Sequence, residues 1–207
     1  MKNRISSFLL FIAAGIPLVD CSSNNRAEHF NKHAASKDSK PDEIIRSLEI
    51  KPGQTICDIG SGGGYYSIRF AKETGKDGKV YAVDVKKEFL EYVTGQAQKE
   101  SITNIITVLA EEKNTGLPGN ACDLVFMRDV YHHITDRVEY FRNLKSVLKP
   151  GGRIAIIDYK NEGFFFKIIM RHHLTDWKVI IEELTSAGYE MKKEFHFLNR
   201  QNFLIFQ

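Results

Sequence analysis

Short apolar runs alternate with stretches of helical periodicity along most of this chain. Runs at 55–59, 80–84, 105–109, 123–128 and 153–158 have the length and the Ile/Val content of strands. Between them, 65–74 and 87–100 read as helices, and Phe89, Leu90 and Val93 share one face of the second. A third helix is predicted at 136–148, with Val138, Phe141, Leu144, Val147 and Leu148 facing inward. A fourth, at 176–187, ends on Gly188 as its C-cap. A helix at 42–48 and a Lys51-Pro52-Gly53 turn lead into the first strand, and strand-like stretches at 189–197 and 202–206 close the chain. Such alternation predicts an α/β domain. Strand runs with little internal alternation imply a mostly parallel sheet covered by helices on both faces.

The turn after the first strand carries the candidate chemistry. It reads Asp58-Ile59-Gly60-Ser61-Gly62-Gly63-Gly64, and the second strand ends on Asp84. Glycines at 60, 62 and 64 remove the Cβ atoms that would hold a ligand off the backbone. The following helix is expected to offer unpaired amides to that ligand. An acid about twenty residues after the turn is placed to hold two ribose hydroxyls. A dinucleotide loop has the spacing G-x-G-x-x-G; here Tyr65 stands where the third glycine would fall.

The spacing Asp58-x-Gly60-x-Gly62-x-Gly64 resembles motif I of the class I S-adenosylmethionine-dependent methyltransferases. Cys122 to His133 resembles that family's fourth strand and the polar residues after it. Leu148-Lys149-Pro150-Gly151-Gly152 and the run to Asp158 resemble its fifth, and the terminal strand pair resembles its last two. The resemblance runs from about residue 42 to residue 206. It implies a Rossmann-like, doubly wound, mostly parallel seven-stranded sheet with an antiparallel last strand. It also implies S-adenosylmethionine as cofactor, lined by Gly60, Gly62 and Gly64, with Asp58 near its amino group and Asp84 on its ribose. Glu111, or alternatively Glu112, falls where the family presents an acid to the adenine amine. Asp129, Tyr131, His132 and His133 fall beside the transferred methyl. His132 is the candidate base, because an imidazole titrates near neutral pH; packing or helix capping is the other role open to it. Asp129 is expected to contact cofactor as well as acceptor, and Tyr131 to react or to wall the pocket. His172 and His173 could close the same crevice, and the run Phe164, Phe165, Phe166, Ile168, Ile169 could cover the acceptor or pack in the core. The acceptor is expected to be a small molecule. Two other functions remain open: a cofactor-binding module without turnover, and a nicotinamide-dependent oxidoreductase, against which the glycine spacing argues.

Composition narrows the rest. At 207 residues, 43% apolar and 27% charged, the chain suits one globular domain, placed at 42–207. A net charge of +3 is too small to indicate nucleic acid, and no partner of that kind is expected. Cys57 and Cys122 lie in strand runs and read as small buried side chains. No zinc spacing links the three cysteines, and His132, His133, His172 and His173 include no i, i+4 pair, so no metal is expected. Residues 1–21 form a separate object: Lys2 and Arg4, an apolar run from Phe8 to Val19, then a polar exit. That is the pattern of an export signal. Leu18-Val19-Asp20-Cys21 resembles a bacterial lipobox, departing from it at Asp20. The expectation is a cell-envelope protein attached to the membrane through its N-terminus, or a cytoplasmic one if the segment is not exported. Residues 22–41 are expected to be a polar tether.

Overall fold

The computed structural model describes residues 21–160 and 176–207. Residues 1–20 of the expected leader at 1–21, the apolar run at 164–169, and His172 and His173 lie outside the described residues. In chain order the first elements are α1 (Cys21–Ala34), α2 (Pro41–Ser47), β1 (Thr55–Ile59), α3 (Tyr65–Thr74), β2 (Lys79–Asp84) and α4 (Lys87–Lys99). β3 (Ile105–Leu109), β4 (Cys122–Arg128), a 3-10 turn (Tyr131–His133) and α5 (Arg137–Leu144) follow. The chain ends with β5 (Leu148–Tyr159), α6 (Trp177–Ser186), β6 (Met191–Phe195) and β7 (Gln201–Phe206).

Among the described residues seven strands form one sheet in the order β3-β2-β1-β4-β5-β7-β6. β1 pairs in parallel with β2 and β4, whereas β7 runs antiparallel between β5 and β6. The order reverses beside β1, so the first βα turn opens onto the crevice where ligands of open α/β sheets bind. Side chains of the central strands alternate between two cores. Ile56, Leu124 and Phe126 face Ile44, Ile45 and Phe70 of α2 and α3; Cys57, Val125 and Met127 face Phe141, Leu144 and Leu184 of α5 and α6. Burial on both faces is why these strands read as unbroken apolar runs.

Three features depart from the sequence expectation. Residues 21–34 form α1 instead of a tether, held by a stripe of buried Ser23, Ala27 and Ala34. These side chains are small, so helical spacing was present without a hydrophobic signal. Pro150-Gly151 is not a turn ahead of β5 but a bulge inside it: the pairing jumps from Cys122↔Leu148 to Leu124↔Arg153, with Gly151 at φ +77°. Cys57 and Cys122 are buried as expected, yet they also form a disulfide between β1 and β4, with Cα atoms 6.0 Å apart. At the end of α6, Gly188 has φ +86°; its N–H donates to Thr185 O, and Tyr189 N–H donates to Leu184 O. This is a Schellman motif.

Candidate functional site

The loop after β1 takes its path from positive φ at Gly60 (+72°), Gly62 (+51°) and Gly64 (+79°). Protein packing adds a second demand. A Cβ on Gly60 would meet Val130 Cγ2 at 2.2 Å, and one on Gly64 would meet Val93 Cγ2 at 2.6 Å. Five of the six amides from Gly60 to Tyr65 are committed inward. Gly60 N and Ser61 N donate to Val83 O, Gly62 N to Asp84 Oδ2, Gly64 N to Ser61 O, and Tyr65 N to Asn31 Oδ1. At the start of α3 this corrects the expectation of an unpaired amide for Tyr65 alone. A pyrophosphate needs outward N–H donors, and these five point elsewhere.

Facing the loop are desolvated acids. Asp84 is 8% exposed at the tip of β2; Oδ2 accepts from Gly62 N at 2.9 Å and Oδ1 from Lys86 N at 3.0 Å. Burial raises its pKa against the pull of those amides. Asp58, 3% exposed, accepts from Ser67 Oγ at 2.5 Å. Burial pushes its pKa up to about 7; the Ser67 bond offsets part of this, and the Asp84 charge adds to it. Two such acids favour a ligand that brings positive charge. Ser61 Oγ, in the same loop, is buried without a hydrogen-bond partner among the described residues. This donor set fits S-adenosylmethionine: an ammonium and a sulfonium for the acids, a ribose diol for the spare lone pairs of Asp84, and a hydroxyl in want of a partner.

A second group forms where β4 and β5 end. Asp129 follows β4 with φ +58°, and its Oδ1 accepts from Gln201 Nε2 at 2.5 Å. Burial raises its pKa to about 6, against the Arg128 charge and with that of Asp158. Asp158 is fully buried and organises the turn after β4. It accepts from His132 N at 3.1 Å and from Tyr159 N at 2.7 Å, and its Oδ1 lies 2.8 Å from His132 Nδ1. A carboxylate at Nδ1 selects the tautomer with the proton on that nitrogen, leaving Nε2 basic. The four strand-end acids therefore resolve into two pairs, Asp58 with Asp84 and Asp129 with Asp158.

Tyr131 does not join the reacting groups. It is fully buried and stacked on Phe141; its hydroxyl is hydrogen-bonded to Glu183, which also takes Arg137 Nε at 2.6 Å. Burial, then Glu183, pushes the phenol pKa up. Its apolar body belongs to the core between α5 and α6, which corrects its expected place at the pocket. His132 and His133 line an open cleft of about 740 Å³ with Thr135, Asp136 and Glu183. Glu111 and Glu112 are exposed beyond β3, where Glu111 pairs with Asn114.

Sequence reasoning missed the apolar rim beside Asp84. Val85 follows it, 54% exposed, and Leu109, its β3 register partner, is 55% exposed. The signal was available: large apolar side chains at strand ends beside a binding loop. It also missed α1, whose Asn31 and Phe30 touch the loop, and the pairing of His132 with Asp158, residues 26 apart in sequence.

The family profile described as "Methyltransferase domain" matches residues 50–202. An arsenite methyltransferase of Halobacterium salinarum is 31% identical over 109 residues, covering 53% of this chain and 28% of that protein. A ubiquinone/menaquinone biosynthesis C-methyltransferase of Vibrio cholerae is 27% identical over 110 residues, covering 53% and 42%. This chain thus spans less than half the length of these relatives. A solved S-adenosylmethionine-dependent methyltransferase from Aquifex aeolicus superposes with a TM-score of 0.75 over 88% of this chain and 97% of that one; at 24% identity it speaks for the fold.

Proposed function

Since this chain belongs to the methyltransferase-domain family, in the class I S-adenosylmethionine-dependent group, we propose that it transfers a methyl group to a small-molecule acceptor held beside His132. The observation that carries this reading is the loop itself. Five of its six amides from Gly60 to Tyr65 are turned into the protein, and two desolvated acids, Asp58 and Asp84, stand against it. That suits a cationic cofactor and not a dinucleotide.

When bound, S-adenosylmethionine supplies a methyl group on a sulfonium, open to in-line displacement. Asp84 would accept from the ribose hydroxyls, Asp58 would take the ammonium directly or through water, and Gly60, Gly62 and Gly64 would let the backbone approach. Val85 and Leu109 would wall the adenine, with Glu111 near its amine. Asp129 would lie between cofactor and acceptor. Orientation of the acceptor supplies much of the acceleration in such a displacement. Where the acceptor atom must lose a proton, His132 Nε2 would accept it, while Asp158 holds Nδ1 and balances the imidazolium that forms.

The test is transfer of labelled methyl from S-adenosylmethionine to acceptors of differing chemistry: a phenol, an amine, a thiol and arsenite. We expect a methylated product with at least one. His132→Ala should lower turnover at least about a hundredfold where a proton is lost, while S-adenosylhomocysteine affinity stays within about twofold of wild type. Turnover unchanged in that variant would return His132 to a structural role. Cofactor binding with no transfer to any acceptor would favour a binding module.

A location in the cell envelope is the second part of the proposal. The basic-then-apolar start at residues 2–19 and the Cys57–Cys122 disulfide both support an oxidising compartment. Fractionation of cells producing the full chain, with thiols alkylated at lysis, is the check. A soluble cytoplasmic protein with Cys57 and Cys122 both alkylated would contradict it.

A further inference from the structure

Gly63 stands between the alternating glycines of the loop, and the atoms nearest to where its Cβ would be belong to α1. A Cβ there would meet Ala27 O at 2.3 Å and Asn31 Oδ1 at 2.3 Å, both from α1. Asn31 grips the loop twice: Nδ2 donates to Gly63 O at 2.8 Å, and Oδ1 accepts from Tyr65 N at 3.1 Å. Tyr65 opens α3, and Gly64 at its N-cap position has no side chain with which to cap it. The capping oxygen therefore arrives from another helix, 34 residues earlier in the chain. One residue before, Phe30 lies with Cδ2 3.4 Å from where a Gly62 Cβ would be, edge-on to Phe89, and is still 47% exposed. Gly62 is the residue whose amide holds Asp84 Oδ2.

The docking of α1 is specific without being strongly apolar. Among its described side chains Ser23, Ala27 and Ala34 are buried, and Phe30, large and apolar, remains half open to solvent. Little area is buried by such a stripe, and the amide bracket of Asn31 adds a polar attachment beside the contacts of Arg26 and Phe30 with Phe89. The loop it grips contains three glycines at positive φ, and such a loop loses much conformational freedom when it is fixed.

We infer that Asn31 is a positioning residue for the cofactor, and that docking of α1 and binding of S-adenosylmethionine favour one another. The inference rests on the reading that this loop holds the cofactor. Whichever event fixes the loop first removes part of the ordering cost from the other, and the coupling is reciprocal. Phe30, beside Gly62, becomes covered when the ribose is in place.

The experiment is calorimetric titration of the full chain with S-adenosylhomocysteine, together with amide hydrogen exchange across residues 21–34 with and without that ligand. Wild type should bind and show slowed exchange in α1. Asn31→Ala should bind about tenfold more weakly, near the worth of one net hydrogen bond, and lose the ligand-dependent slowing. Asn31→Asp, which keeps the acceptor for Tyr65 N but not the donor to Gly63 O, should fall between the two and guards against misfolding of the alanine variant. Lys32→Ala, on the exposed side of α1, should match wild type. Unchanged affinity in Asn31→Ala, or exchange in wild-type α1 that ignores the ligand, would overturn the inference while the cofactor reading stands. Absence of binding by wild type would overturn that reading and this inference with it.

Discussion

Asp84 and Asp58 do different work although both are buried acids beside one loop. Asp84 is anchored by two backbone amides and keeps lone pairs for a diol. We predict that Asp84→Ala weakens S-adenosylmethionine binding by about 1.5–3 kcal/mol, the range for charged hydrogen bonds; unchanged affinity in calorimetry would remove it from the site. Asp58 has a pKa of about 7, above its ordinary value because of burial. The folded protein therefore keeps a proton that the unfolded chain releases near pH 4. Ionising Asp58 costs stability as pH rises from about 4 to about 7. An ammonium beside it favours the ionised form, so cofactor binding releases that proton. Affinity should rise with pH, by at most about tenfold per unit, and level off above about pH 7. A flat profile from pH 5.5 to 8 would contradict this placement. Asp84 and the alternating glycines were legible because their meaning lies in local spacing. The His132–Asp158 and Asn31–Gly63 pairs were not, because they join residues 26 and 32 apart that only the fold brings together.

At the level of elements, β1, α3 and β3 have the ends that the apolar pattern predicts, because each is bounded by a turn residue or a switch of period. The pattern fails where it lacks large side chains. α1 presents Ser23, Ala27, Asn31 and Ala34 to the domain, a helical stripe that hydrophobicity cannot reveal. It also fails inside β5, where Pro150-Gly151 has turn chemistry yet forms a bulge that the strand spans. Gly188 illustrates the opposite case, a glycine whose role was predicted from its place after an amphipathic run. With φ at +86°, Gly188→Ala should destabilise the fold by about 1–2 kcal/mol, the cost of a left-handed non-glycine residue. Denaturant unfolding checks this, and an unchanged midpoint would mean that the Schellman turn adjusts freely.

Across the whole molecule, the doubly wound sheet sets the loop, Asp84 and the turn after β4 around the reversal of strand order, which is why sequence motifs far apart describe one site. The disulfide ties two central strands through a 65-residue separation. On loop entropy it should stabilise the fold by about 4 kcal/mol, so reductant should lower the denaturant midpoint; identical midpoints would show that the pair adds nothing to stability. Acceptor chemistry was not legible, because no motif in the sequence spells the chemical class of the acceptor. The central claim is that the loop between β1 and α3 holds a cationic nucleoside cofactor. It is tested most directly by calorimetric titration of the full chain with S-adenosylmethionine, S-adenosylhomocysteine and NAD. We predict saturable binding of the first two and none of NAD; binding of NAD alone, or of none of the three, would contradict the claim.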